Sequence, residues 1–153
     1  MQVRIAKEDD AEDACAVLRR SIQELCVADY GNDAQTIHEW LANKTPEIVR
    51  SWIGAPGQQV MIAEENRKIL GVGAATATGE ITLNYVAPEA RFRGISKAIL
   101  AALERYLREQ GRTRSTLSST QTAHRFYQAV GYRDAGEPQT WWRARCQPMA
   151  KNL

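Results

Sequence analysis

The stretch whose residue types and spacing speak most directly of chemistry is Asn84-Tyr-Val-Ala-Pro-Glu-Ala-Arg-Phe-Arg-Gly-Ile-Ser-Lys97. It reads as a strand end, a basic turn, and a helix that begins at a glycine. The free N–H groups of a first helical turn point outward and, with the helix dipole, favour an anion. Gly94 leaves room for that anion to approach the backbone, and Arg91, Arg93 and Lys97 surround it with positive charge. A pyrophosphate fits such a place; so, on these residues alone, does an ordinary solvated helix start. Metal chemistry is not indicated: no Cys or His pair has the short spacing of a zinc site, and His38 and His124 stand far apart. Cys15 and Cys26 would share one helix face, but at about 1.5 Å rise per residue they lie roughly 16 Å apart, beyond disulfide reach. With Cys146 they read as reduced thiols outside the motifs.

Strands and helices must position that turn. Val3 to Ala6 alternates like a short strand, and the acidic run Glu8 to Asp13 opens a helix with the apolar stripe Ala11, Ala14, Cys15, Leu18, Ile22 and Leu25. Asp29 to Asn32 reads as a turn, Asp33 to Ala42 as a second helix with Ile37, Trp40 and Leu41 on one side, and Glu47 to Ile53 as a third, begun by Pro46. Gln59 to Ala63, Ile69 to Thr76 and Glu80 to Val86 are strands whose short links suit an antiparallel meander. A long helix follows from about Gly94 to Gln110, stopped by Gly111. Arg114 to Ser118 is a weak strand, Thr122 to Val130 a short helix, and Tyr132 to Ala135 with Gln139 to Cys146 a closing hairpin. This order predicts a single α/β domain over 1–153. Its central mixed sheet would carry helices on its faces, antiparallel in the meander and parallel around the long helix's crossover.

At two places the chain resembles the GNAT acetyltransferase superfamily. The strand ending in a Val-x-Pro turn is followed by Arg91-x-x-Gly94-x-Ser96, similar to the family's Arg/Gln-x-x-Gly-x-Gly/Ala cofactor motif. Further on, Ala123-His-Arg-Phe-Tyr127 and Gly131-Tyr132 resemble its Ala-x-x-x-Tyr helix and Gly-Phe/Tyr strand start. The likeness covers about Gln59 to Tyr132, and the flanks follow by element order. It implies the GNAT fold and acetyl-CoA as acyl donor, with no metal. It also implies N-acetyl transfer by direct attack of an amine, without an acyl-cysteine. The pyrophosphate would rest on Arg91, Arg93, Gly94, Ile95, Ser96 and Lys97, and the backbone of Tyr85 and Val86 would bond the pantetheine arm. Ser96 departs from the usual small residue, and Thr120 stands where many members have an asparagine near that arm. Tyr127 would be the general acid at the departing thiolate, since a phenol O–H can meet a sulfur gaining charge; taken alone it also reads as a core residue beside Phe126. Glu80 lies where several members carry a glutamate that takes the amine's proton, and it reads equally as a solvent-facing hairpin residue after Gly79.

Composition bounds the rest. A 44% hydrophobic fraction with mixed charges is that of an ordinary globular protein. Charges in Met1 to Asp13, where a signal peptide would need an apolar run, and the lack of a long apolar stretch lead us to expect a cytoplasmic protein with no membrane partner. Residues 1–80 carry net −5 and 81–153 net +7, which favours an anionic ligand in the second half and a cationic one in the first. Nucleic acid is not the partner expected for that basic half, though Arg105, Arg108, Arg112 and Arg114 would suit one. The partner expected is a small amine or a peptide or protein amine; a homodimer is left open. Glu24, Asp29, Tyr30, Asp33, Trp40, Trp141 and Trp142 are the acceptor-side candidates, because carboxylates and tryptophan faces both favour cations. Two other activities fit the same residues: transfer of another acyl group, and a non-catalytic acyl-CoA-binding module.

Overall fold

A computed structural model describes residues 1–25, 33–141 and 144–153. β1 (Gln2–Ile5), β2 (Gln58–Glu65), β3 (Lys68–Thr76) and β4 (Ile81–Val86) form an antiparallel sheet in that order. Helices α1 (Ala11–Leu25), α2 (Ala34–Leu41) and α3 (Pro46–Trp52) lie between β1 and β2 in sequence. Asp33 caps α2 by accepting the Gln35 N–H at 3.0 Å, and Thr45 caps α3, with Pro46 in its first turn. Arg4 fastens the sheet's first edge by donating to Glu64 at 2.7 Å and to Asp10 at 2.9 Å.

The long helix α4 (Ile95–Glu109) packs on the face of β3 that carries no side chains at Gly71 and Gly73. A Cβ built on Gly71 would lie 2.6 Å from Ile99 and one on Gly73 would overlap it, so glycine is what lets helix and sheet approach. α1 and α2 take the opposite face, where Tyr85 packs beside the buried Ile22 and Leu41. Helices therefore cover both faces of the sheet, as expected.

A second sheet runs β5 (Arg114–Thr120), β8 (Ala144–Asn152), β6 (Arg133–Asp134), with β7 (Gln139–Trp141) also paired to β8. Helix α5 (His124–Ala129) joins β5 to β6. Three expectations are adjusted here. The closing strand does not end at Cys146 but continues to Asn152, paired with β5 from Arg114↔Asn152 to Thr120↔Cys146. The expected closing hairpin is in fact two pairings on one strand, β7 at its start and β6 further along. The parallel relation around α4 is also confined to a single bridge, Glu80↔Thr116, with the Thr116 N–H donating to Gly79 O at 2.9 Å. Beyond it β4 and β5 pair with nothing in common, and the two sheets open like a fork. Among the described residues no helix is long and apolar enough to cross a membrane.

Candidate active site

The fork encloses a cavity of about 610 Å³, walled by β4 and β5 and bounded by the starts of α4 and α5. At its mouth the chain makes a tight turn, Pro88–Ala90, whose Glu89 receives Arg20 of α1 at 2.6 Å and Lys68 of β3 at 3.0 Å. These two cations, Arg20 foremost, pull the Glu89 carboxyl down to about 2. The turn leading to the anion-binding candidate is thus tied both to α1 and to the start of β3.

Phe92 (φ 63°) and Gly94 (φ 78°) then both adopt left-handed backbone, and Gly94 caps α4, accepting the Ala98 N–H at 3.0 Å. A Cβ built on Gly94 meets nothing within 4 Å, so the first turn of α4 faces open space, as an incoming anion requires. Ile95 points inward to the core, leaving only its backbone for a ligand; Ser96 is partly buried and Lys97 exposed. Arg91 stacks on the Phe92 ring at 4.6 Å, and Arg93 donates to Glu65 at 2.5 Å. Phe92 is 93% exposed, a large apolar side chain standing at the cavity mouth.

At the other end Tyr127 of α5 reaches the cavity with only 8% exposure, edge-on to Phe126 and Tyr132 at 5.1 and 5.7 Å. Burial raises its phenol above the ordinary value of 10, partly offset by the neighbouring Asn84 carboxamide, so the hydroxyl keeps its proton at neutral pH. Thr120, also on the wall, accepts the Ala123 N–H at 3.3 Å and so shapes the start of α5.

The free edge of β4 supplies the cavity's backbone groups. Ala87 N–H donates to Leu70 O at 2.8 Å. Bonded and non-bonded pairs alternate along an antiparallel ladder, so Tyr85↔Val72 is again a bonded pair while Val86↔Gly71 and Asn84↔Gly73 are not. The N–H and C=O of Val86 and Asn84 therefore turn toward the fork, and those of Tyr85 turn to β3. Of the two residues expected to offer backbone groups, Val86 turns them to the fork, as does Asn84 two residues before it, while Tyr85 turns them to β3.

The family model described as acetyltransferase (GNAT) domain matches residues 26–153. The chain belongs to the GNAT acetyltransferases. Solved structures agree in fold. A GCN5-related N-acetyltransferase from Rhodopseudomonas palustris superposes with TM-score 0.87 at 21% identity, over 99% of this chain and 95% of that one. The PaiA N-acetyltransferase of Thermoplasma acidophilum, solved in complex with coenzyme A, gives 0.83 at 18% identity, over 99% and 98%. A ribosomal-protein-alanine N-acetyltransferase from Brucella melitensis gives 0.70 at 20% identity over the whole of both chains. No curated protein sequence matches significantly.

In this GNAT chain the cavity wall gathers Tyr85, Val86, Arg91, Gly94, Ile95, Ser96, Lys97, Thr120 and Tyr127, residues spread over 43 positions of sequence. Arg93 stands just outside it, held by Glu65. Glu80 is exposed at the vertex of the fork and does not line the cavity, because the bridge to Thr116 closes the space there. On the acceptor side Glu24 is exposed beside Arg20 at 3.6 Å, Asp33 serves as a helix cap, and Trp40 lies under the Lys44 ammonium at 4.8 Å. Asp29, Tyr30 and Trp142, with Cys26, fall outside the described residues, as does the side chain of Trp141. Ser21 and Leu25 of α1, and Asn84 of β4, reach the cavity and were not anticipated. For Asn84 a signal existed: an amide in mid-strand, on the same face as Val86, needs a partner that an apolar wall cannot offer.

Proposed function

We propose that this chain transfers an acetyl group from acetyl-CoA to a primary amine by direct attack. The observation that carries this reading is the single cavity that runs from an open helix N-terminus to a buried, neutral tyrosine. The first turn of α4 takes the pyrophosphate, with Arg91, Arg93 and Lys97 supplying charge and Gly94 and Ser96 the close approach. Arg93 exchanges its Glu65 partner for phosphate, a small cost because an exposed ion pair contributes roughly 0–1 kcal/mol. The pantetheine arm lies along the free edge of β4, bonded by the backbone of Val86 as a further strand would be, and passes Thr120 of β5. The coenzyme A complex of the Thermoplasma relative supports a donor of this kind.

The amine enters from the side of α1, where Ser21 and Leu25 reach the cavity. It must arrive neutral to attack, and Glu80 at the vertex of the fork takes up its proton through water. Nitrogen adds to the thioester carbonyl, and Tyr127 gives its proton to the departing sulfur. Lone-pair attack in a space shielded by β4 and β5 needs no cysteine; Cys15 is buried and bonded to Lys44 O, which suits a structural thiol. The acceptor ranges over small amines and the amines of peptides or proteins, the latter as for the Brucella relative.

Coenzyme A should raise the melting temperature, because a ligand seen only by the folded state stabilises it. Gly94→Glu should abolish that rise by placing bulk and negative charge where phosphate must sit. Gly94→Ala shares the left-handed backbone penalty without the carboxylate and should keep most of the rise. An undiminished shift in the glutamate variant would place the pyrophosphate elsewhere.

A further inference from the structure

Asn84 sits in the middle of β4 opposite Gly73, on the face covered by α4. Its Nδ2 and Oδ1 are both buried, and neither has a hydrogen-bond partner among the described residues. Buried polar atoms without partners destabilise a fold and are uncommon enough in native proteins to call for a reason. Packing is not the reason, since leucine has nearly the same shape and would fill the position with no amide to satisfy. Location supplies one: Asn84 is part of the cavity wall, and the polar group beside it is the Tyr127 hydroxyl.

We propose that Asn84 is a positioning residue for proton delivery: with the acyl donor in place, its Nδ2–H donates to the Tyr127 oxygen, so that the phenol's own proton is aimed at the thioester sulfur. The proposal rests on the N-acetyltransferase reading above. A phenol O–H has two in-plane orientations, and a donor occupying one side of the oxygen leaves the proton the other. The same bond stabilises the phenolate formed when that proton leaves. The step balances as follows. The C–N bond forms as the amine attacks, the C–S bond breaks with its electron pair going to sulfur, and the Tyr127 proton converts the thiolate to free thiol. The phenolate recovers a proton from the one shed by the attacking nitrogen, so amine and thioester become amide and thiol. A fold that keeps so poorly satisfied an amide beside Tyr127 in its free state gives up stability for an interaction that is completed in the working complex.

The test uses the full chain, with Asn84→Leu, Tyr127→Phe and the double variant. Asn84→Leu should melt about 2–6 °C higher than wild type in the absence of ligand, since it removes two unsatisfied atoms and keeps the volume. Its coenzyme A-induced shift should be retained. Its turnover in thiol release should fall about ten-fold with KM for acetyl-CoA within about two-fold of wild type. In the Tyr127→Phe background Asn84→Leu should have no further effect on turnover, because the two act through one hydroxyl. If leucine does not fit, Asn84→Ala should show the same loss of turnover and the same lack of effect beside Tyr127→Phe. Wild-type turnover in both single Asn84 variants, or losses that add in full to that of Tyr127→Phe, would each overturn the proposal while leaving the acetyltransferase reading intact. A wild-type chain that shows neither a coenzyme A shift nor amine-dependent thiol release would take down both.

Discussion

A tyrosine can serve as an acid at sulfur only if it holds its proton at working pH and points at the reacting atoms. Burial holds the Tyr127 phenol above its ordinary value, which satisfies the first condition, and its side chain lines the cavity proposed to hold the thioester. Tyr127→Phe deletes only the hydroxyl and should leave the edge-on contacts with Phe126 and Tyr132 in place. Turnover should drop by roughly ten-fold to a thousand-fold with coenzyme A binding nearly unchanged. The defect should shrink for an acyl donor whose leaving thiol is more acidic, which separates assistance to departure from a folding fault; equal defects with both donors would argue against the assignment. Tyr127 and Gly94 were legible in the sequence because each sits at a fixed spacing within a short motif. The direction of the β4 backbone was not, for it depends on which ladder pair is bonded. Hence Val86, and not Tyr85, offers its N–H and C=O to the fork. Nor could Glu80 be placed, since its exposure follows from a bridge between strands 36 residues apart in sequence.

At the scale of elements, the close approach of α4 to β3 sets where the first turn of α4 lies. The bare surface at Gly71 and Gly73 receives Ile95, Ile99 and Leu103, all buried. Gly73→Val would force Ile99 out of its place, and overpacking of this kind costs about 1–3 kcal/mol. Chemical denaturation should show that loss, together with weaker coenzyme A binding, because a displaced α4 carries its N-terminus with it. Unchanged stability would mean that α4 has slack against the sheet. The helices, the meander and the long crossover were legible from periodicity and from glycine and proline punctuation. The full length of β8 was not, because Pro148 reads as a strand breaker. The strand tolerates it since Pro148 faces Ala135, whose N–H donates to the Pro148 carbonyl at 2.8 Å, and the missing donor falls where β6 has already ended. Pairing with β5 is untouched.

For the whole molecule the question is what keeps a fork with one bridging pair from coming apart. Below the cavity a buried cluster joins α4, β5 and β8. The Tyr132 hydroxyl bonds Glu104 at 2.9 Å and Ser115 at 2.7 Å, and Lys151 reaches Glu104 at 3.1 Å. Burial, with Glu104 close by, pushes the Tyr132 phenol well above its ordinary value. A group whose pKa is raised by folding binds its proton more tightly in the folded state, so its contribution is complete below the unfolded value of about 10 and is lost as pH climbs above it. Stability should therefore fall steeply above pH 10. Tyr132→Phe should cost about 1–3 kcal/mol at neutral pH by leaving Glu104 and Ser115 short of a partner, and should make the alkaline fall shallower, with Tyr127 accounting for part of what remains. Denaturation curves between neutral and alkaline pH would check both, and an equally steep fall without Tyr132 would contradict the linkage. None of this cluster was legible, because Glu104 on the long helix carries no mark that distinguishes it from a solvated acid. The family, by contrast, could be read from two motifs whose order matched the fold. Its chemistry is tested most directly by incubating the chain with acetyl-CoA and a panel of amines, following thiol release and the mass of the amine together. Release should depend on an amine, with an acetylated amine formed in equal amount; thiol release that is indifferent to every amine, or coenzyme A binding with no transfer to any small-molecule or peptide amine, would contradict N-acetyl transfer by this chain.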